Sequence, residues 1–508
     1  MTRPEVPGPP GSTLASPSSA HSPVLSCESI QVNTANALAR FITSIQFDDL
    51  PAQVVHETKR IVLDVIGCGL GAREVAKGRI AAQYAGACGG PPEASVLGAS
   101  TRIGIGSAAF ANAELMHGLD FCPLLPPGHI APFVTAPPLA AAQARASSGR
   151  TLLLALALAY EVSSRVGASL DPMRSKVAGQ VARSWGLGFN TFGAAAGVGK
   201  ILGLDESQMN DALGLAAYLS PVPSHNKSLT TTAGGGMAKY GPAGWTAQAG
   251  VTAAMLASMG YEGDRSVLDG DYGYWAMAGS EQCRFERMTD GLGLDWRLLR
   301  VLYKSFPVAG HFQSPLGAFA DLIGEQSLKP DEIEHVKVFN EAQGLLPRFK
   351  TGIRNHVDTQ NSLEYGIAAV AHHMPPGPVW QSDLAMNHPG LKQLMGRVSI
   401  QSYPRSEQTR VQELEVEGLP YIDRRPCVVE VTARGRVYRR EAEYGRWLSL
   451  SQSAFRATDA DLAAKFCANV AGVLSPAKAQ SAIDLIMGLD HVEDVNALMS
   501  ALLSDTAP

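Results

Sequence analysis

A chain of 508 residues is long enough for two or three domains and a large buried core, so folding requires no disulfide or metal staple. With 45% apolar and only 18% charged residues, the composition predicts much buried surface, including a subunit interface. A net charge of -5 with no basic run argues against a nucleic-acid partner, and seven scattered cysteines without a CxxC pair argue against a disulfide framework.

In chain order, residues 1–29 are rich in Pro, Ser and Gly, carry no apolar signal core, and predict a disordered tail. In "ANALARFITSI", Leu38, Phe41, Ile42 and Ile45 repeat at helical spacing. "FDDLPAQVVHETKRIVLDVIG" opens with acidic residues and Pro51, and Val54, Thr58, Ile61, Val62 and Val65 then share one face. The run "TLLLALALAY" is too short for a membrane span and ends at Glu161. "LDESQMNDALGLAAYL" begins with a capping-box pattern, Asp205 and Gln208. "TAPPLAAAQARA", "FGAAAGVGKILGL" and "GWTAQAGVTAAMLASMG" are small and apolar all round, the mark of closely packed buried helices.

After about residue 295 the period changes. "HVKVFN", "RVSIQSY" and "RVQELEVEG" alternate like strands, and "CVVEVTARGRVYRREAEY" predicts a hairpin turning near Gly435. Three helices then follow, in "DADLAAKFCANVAGVL", "PAKAQSAIDLIMGL" and "HVEDVNALMSALL". The expected fold is mainly α. A large helical core domain (30–290) is followed by a smaller inserted α+β domain (291–450), and C-terminal helices (451–508) rejoin the core. The reduced cysteines predict an intracellular, cytoplasmic protein, with mitochondria as the alternative.

Cofactor motifs are absent. "GAAAGVGK" continues with Ile201 where a phosphate loop needs Ser or Thr, "GIGSAAF" lacks the third glycine of a dinucleotide fingerprint, and no HExxH occurs. The adjacent His372 and His373 read as a helix end before "MPPGP". The expectation is therefore no metal and no organic cofactor.

"MHGLDFCPLLPPGHIAP", residues 116–132, stands apart. It places Asp120 and His129 nine residues apart in a loop that is too apolar and too proline-rich for an ordinary surface turn. Four stretches, taken together, resemble the MmgE/PrpD family, which includes 2-methylcitrate dehydratase and cis-aconitate decarboxylase. They are this loop, "FGAAAGVGKILGLDESQMNDALGLAA", "GGGMAKYGPAGWTAQAGVTAAMLASMGYEG" and "YKSFPVAGHFQSPLGAF". The likeness runs over about residues 30 to 505.

The resemblance implies a cofactor-independent, homodimeric enzyme whose α+β domain closes as a lid over the helical core. It implies a small di- or tricarboxylic acid as substrate and chemistry at the carbon beside a carboxylate, with no membrane partner. Asp120 and His129 match the family loop, Lys239 the lysine after the glycine run, Lys304 the lysine of the "KxYP" segment, and Tyr365 a position that can donate to an enolate. Lys239 and Lys304 are expected to hold substrate carboxylates. His129 is expected to transfer a proton, with Asp120 orienting it or binding substrate.

This chain also departs from the pattern. The loop's next two acidic positions are Cys122 and Pro123. The family's aromatic-His pair falls on Trp185-Gly186 or Gly186-Leu187, and the histidine of the fourth stretch is replaced by Gln313, with His311 two residues earlier. His311 and Gln313 are expected at the substrate. A site with fewer imidazoles is less polar and suits an alkyl-substituted acid. The leading expectation is a dehydratase or decarboxylase. An epimerase or isomerase and a catalytically inactive partner subunit are the alternatives.

Overall fold

The computed structural model describes residues 33–171, 187–221, 236–238, 241–341, 352–419 and 421–505, together with the backbone of 174–177 and 180–184. The expected tail lies outside the described residues. Helices dominate the first half: α1 (Thr34–Ser44), α2 (Ala52–Gly71), α3 (Ala76–Cys88), α4 (Ile105–Met116), α5 (Ala131–Ala144), α6 (Gly149–Ser169), α7 (Asn190–Leu202), α8 (Glu206–Leu219) and α9 (Ala243–Ser258). The apolar stripes lie where the spacing requires. Leu38, Phe41 and Ile42 of α1 are buried, as are Val54, Thr58, Ile61, Val62 and Val65 of α2. The capping box at α8 forms, with Asp205 accepting from the Gln208 N–H at 2.8 Å and Gln208 accepting from the Asp205 N–H at 3.2 Å.

α6 extends well beyond its apolar start. Its 21 residues are long and apolar enough to cross a membrane, but the helix is buried among α2, α5 and α7. Small residues permit this packing: a Cβ on Gly193 of α7 would fall on Ala159 and Ser163 of α6. Inside α6, Arg165 donates to Glu161 at 2.6 Å and to the carbonyls of Asp290 (2.7 Å), Gly291 (3.2 Å) and Asp295 (2.9 Å). Glu161 accepts from the Arg297 N–H at 2.7 Å. A buried charge is tolerable only when its partners are present, so this pair pins the segment leading to residue 304.

A second apolar core, drawn from Phe306 to Ala433, surrounds a four-stranded sheet. Strands β1 (Ile333–Asn340), β2 (Val398–Ser402), β3 (Cys427–Ala433) and β4 (Arg436–Ala442) lie in the order β4-β3-β1-β2. β1 and β2 are parallel, with Val336 opposite Val398; the other pairs are antiparallel. The hairpin turns at Arg434 and Gly435, both with positive φ, as expected. Helices α10 (Gln313–Glu325) and α11 (Leu363–Ala371) pack on one another, and Leu316 and Phe319 of α10 enter the same core as Val338 and Val429 of the sheet.

One expected strand is absent. "RVQELEVEG" continues a helix that starts at Pro404 and passes into a π turn over Gln412–Val416. Gln, Glu and Leu favour helices and Pro404 sits at the first helical position, so local propensity overrides the apparent alternation. Glu413 is buried there and accepts from the Asp423 N–H at 2.8 Å and Arg424 Nε at 2.7 Å.

The C-terminal helices α12 (Asp459–Val470) and α13 (Pro476–Met487) contribute Leu462, Phe466, Ile483 and Ile486 to the first core, and α12 packs on α2. The six cysteines among the described residues are all free thiols. The C-terminal segment reaches α6 at Gly149, whose N–H donates to the Val492 carbonyl at 2.7 Å. A Cβ at this position would fall on the Leu489 carbonyl oxygen, a backbone atom that cannot rotate away. Gly149→Ala is therefore expected to destabilise the protein by about 1–3 kcal/mol, the usual cost of overpacking. A denaturant titration reads this directly, and a midpoint equal to wild type would refute the close approach.

Candidate active site

Loop 117–130 connects α4 to α5 and is almost wholly buried. An irregular buried loop must place its backbone polar groups somewhere. Here four successive carbonyls are each met by a side chain distant in sequence. Gln360 donates to Gly118 O at 2.8 Å, Gln381 to Leu119 O at 2.7 Å, Lys304 to Asp120 O at 2.8 Å and Lys465 to Phe121 O at 2.7 Å. Gln360 also donates to Gln381 Oε1 at 2.9 Å, so the two amides act as one clamp. Farther along, Ser164 of α6 donates to Pro126 O at 2.6 Å and Asn190 to His129 O at 3.1 Å. The Pro126-Pro127 peptide is cis.

Asp120 has φ +50, a left-handed conformation that a non-glycine residue adopts at some cost. The clamps on either side hold it there. Its side chain is fully buried, with Oδ1 2.6 Å from Lys304 Nζ, itself fully buried, and 3.8 Å from His129 Nε2. Lys304 reaches the loop because Leu302 and Leu124 exchange backbone hydrogen bonds of 2.7 and 2.8 Å. Behind this pair lies a second buried ion pair, Lys465 with Asp64 at 2.7 Å. Lys465 also donates to Lys304 O at 3.0 Å and sits 3.8 Å over the Phe121 ring. Burial pushes the Asp64 carboxyl up, against the pull of Lys465.

On the other side, Cys122 Sγ lies 3.5 Å from His129 Nδ1. Burial pushes this thiol up to about 12, despite the opposing charge of Lys304. The His129 ring meets the edge of His117 at a centroid distance of 5.3 Å, and His117 Nδ1 is 3.4 Å from Lys77 Nζ. Lys77 pairs with Glu114 at 2.9 Å, and Glu114 accepts from the Gly244 N–H at 2.7 Å, at the start of α9.

His117, Cys122 and His129 each bring one ligand-type atom within 4.8 Å of the other two, the one such trio among the described residues. Lys77 Nζ lies 3.4 Å from one of the trio, His117 Nδ1, and the charge of Lys304 acts on Cys122. An ammonium only donates, so Lys77 requires His117 Nδ1 to accept, which places the proton of the neutral ring on Nε2. That geometry fits a hydrogen-bonded group better than a cation cage.

Of the residues expected at the site, Asp120, His129 and Lys304 come together. Lys239 and the Trp185-Gly186 pair lie outside the described residues. Gln313 is committed to backbone: its Oε1 accepts from the N–H groups of Ser305 (2.9 Å) and Phe306 (3.0 Å), and its Nε2 donates to Phe306 O at 2.8 Å. It shapes the turn after Lys304. Tyr365 donates to Trp380 O at 2.5 Å, and burial pushes its phenol well above the ordinary value. His311 is half-buried with its ring edge against Phe312, 4.2 Å between centroids.

Sequence reasoning passed over Lys465, Asp64, Gln360, Gln381 and the contact of Cys122 with His129. A signal existed for two of them, since Asp64 in "RIVLDVIG" and Lys465 in "LAAKFCANV" are lone charges inside apolar helical patterns.

The model of the MmgE/PrpD N-terminal domain matches residues 36–286 and that of the MmgE/PrpD C-terminal domain matches residues 306–491. Human cis-aconitate decarboxylase is 25% identical over 501 residues, covering 93% of this chain and 95% of the relative. Cis-aconitate decarboxylase of Aspergillus terreus is 27% identical over 312 residues, 56% of this chain and 59% of the relative. The cis-aconitate decarboxylase-like protein oryM of Aspergillus oryzae is 27% identical over 314 residues, 57% and 61% of the two chains.

Proposed function

The chain belongs to the MmgE/PrpD family, and from that premise we propose that it is a cofactor-independent lyase acting on a small or alkyl-substituted di- or tricarboxylic acid, by decarboxylation or dehydration. The observation that carries this reading is the buried Asp120–Lys304 pair with His129 beside it. Both reactions develop negative charge on a carbon next to a carboxylate. Charges and donors fixed in a water-poor site stabilise that state without reorganising when it forms. Lys304 supplies the cation, Asp120 holds it and faces His129, and His129 handles the proton. Lys239, from the sequence, is the second contact to substrate carboxylate. His311 is retained as a substrate contact, whereas Gln313 and Tyr365 act through the backbone they hold.

In this reading the α+β part, residues 291–450, is a lid on the helical core, and residues 451–508 return to that core. The Gln360–Gln381 clamp supports it, because it ties the lid side to the catalytic loop. The homodimer is part of the same proposal. Ile80 and Tyr84 of α3 and Trp245 of α9 are about half exposed (54%, 47% and 49%), which suits a subunit contact.

The test incubates purified protein, with EDTA present, against citrate-, alkylcitrate-, aconitate- and succinate-type acids in deuterated water, followed by NMR. Loss of carbon dioxide or water from one acid is the expected result. Solvent exchange without product would reassign the chain to epimerase chemistry. Activity lost with EDTA and restored by one metal would overturn cofactor independence.

A further inference from the structure

We propose that Cys122 is a positioning residue that sets the tautomer of His129, its thiol donating to Nδ1 so that the neutral ring carries its proton on Nε2, toward Asp120. The inference rests on the reading of His129 as the residue that handles the proton, and it decides in which form His129 waits.

The geometry leaves little choice of direction. Sγ and Nδ1 are 3.5 Å apart, both inside the protein. A thiol is a weak donor and a weak acceptor, and it remains protonated when burial pushes it up to about 12. The opposite ring atom, Nε2, faces a carboxylate oxygen at 3.8 Å. An Nε2–H pointing at Asp120 Oδ1 is favourable, whereas a bare Nε2 lone pair there would meet negative charge. These two contacts favour one tautomer. The other charged groups nearby are paired: Lys304 with Asp120, Lys77 with Glu114, and Lys465 with Asp64. His117 meets the His129 ring by its edge.

The consequence selects among the reactions of this family. A base that removes a proton from carbon needs a lone pair on Nε2, which this tautomer lacks. Decarboxylation needs a proton delivered. The bond from carbon to the departing carboxylate breaks, its electron pair stays on the carbon, and carbon dioxide leaves. The carbon takes the Nε2 proton while Nδ1 takes the proton of Cys122, which leaves a neutral ring and a thiolate. A proton taken up from solvent then returns to Nε2 as the Nδ1 proton goes back to sulfur, so the cycle consumes one proton for each carbon dioxide released. The structure thus favours decarboxylation over a reaction that begins with His129 as base.

The tautomer is read without any substrate, by two-bond proton–nitrogen correlation NMR on full-length protein labelled with 15N-histidine. The His129 signals are assigned by their absence in His129→Gln. In wild type above the His129 titration, Nε2 is expected protonated and Nδ1 bare, and Cys122→Ser, which keeps a donor, should match. Cys122→Asp places an acceptor at the same point. It should move the proton to Nδ1 and raise the His129 titration by about 1–3 units, the usual effect of an adjacent opposite charge. Should Cys122→Asp not fold, Cys122→Ala serves: Asp120 alone then biases the ring, and a measurable share of the Nδ1–H form should appear. Protonated Nδ1 in wild type, the same tautomer and titration in Cys122→Asp, or no rise of the Nδ1–H share in Cys122→Ala, overturns the proposal. A protein that turns over none of the acids but shows the Nε2–H form separates failure of the lyase reading from failure of this one.

Discussion

Lys304→Ala abolishes turnover: kcat/KM is expected to fall at least about a thousandfold, at the strong end of losses from removing one fixed electrostatic group. Lys304 is fully buried and spends two of its donors on Asp120, at 2.8 Å to the carbonyl and 2.6 Å to the carboxylate. Its loss removes the cation proposed to face the developing carbanion and leaves Asp120 without that partner. Breaking a buried pair from one side costs about 3–5 kcal/mol in stability, so the single variant alone confuses folding with catalysis. The double variant Lys304→Met with Asp120→Asn removes both charges while keeping most of the volume. Thermal unfolding is expected to recover in the double variant and turnover is not. Recovery of both would make the pair purely structural, and wild-type kinetics in Lys304→Ala would remove it from the site.

That result bears on how much of this molecule is written locally in its chain. Helices α1, α2, α5, α7, α8 and α9 could be read because each carries an apolar face or is small and apolar nearly all round. The two strands β3 and β4 could be read because Gly435 marks the turn between two alternating runs. Residues 410–418 misled because alternation and helix propensity disagreed, and the alternating pattern did not match burial: Val416 is exposed while Glu413 is buried. Asp120, His129 and Lys304 were found through the resemblance, since their proximity depends on the pairing of Leu124 with Leu302, far apart in the chain. The four-carbonyl clamp was invisible for a related reason. Glutamines 360 and 381 and Lys465 look ordinary in sequence, and only the fold shows that they converge on consecutive backbone oxygens. Gln313 shows the converse: its position in the motif suggested a ligand contact, while its two amide atoms are absorbed by the turn it stabilises.

His129→Ala should lower kcat by at least about a hundredfold, the lower end of what a positioned acid–base group contributes. The ring stands between Cys122 and Asp120, 3.5 Å from one and 3.8 Å from the other. His117 meets the His129 ring by its edge, but its Nδ1 faces Lys77 at 3.4 Å. Stability should change little, because the Asn190 contact is to the His129 carbonyl, which the substitution keeps, and Asp120 retains Lys304. KM should move far less than kcat if His129 acts in the chemical step rather than in holding substrate. His129→Gln provides the sharper comparison, since an amide can still donate a hydrogen bond toward Asp120 but cannot pass a proton. If it is as slow as His129→Ala, proton transfer is the missing function. If it recovers most of the rate, His129 serves only as a hydrogen-bond donor. Deuterium from solvent completes the test: its appearance at the product carbon should fall in step with turnover, whereas exchange into unreacted substrate without product would place His129 in a later step.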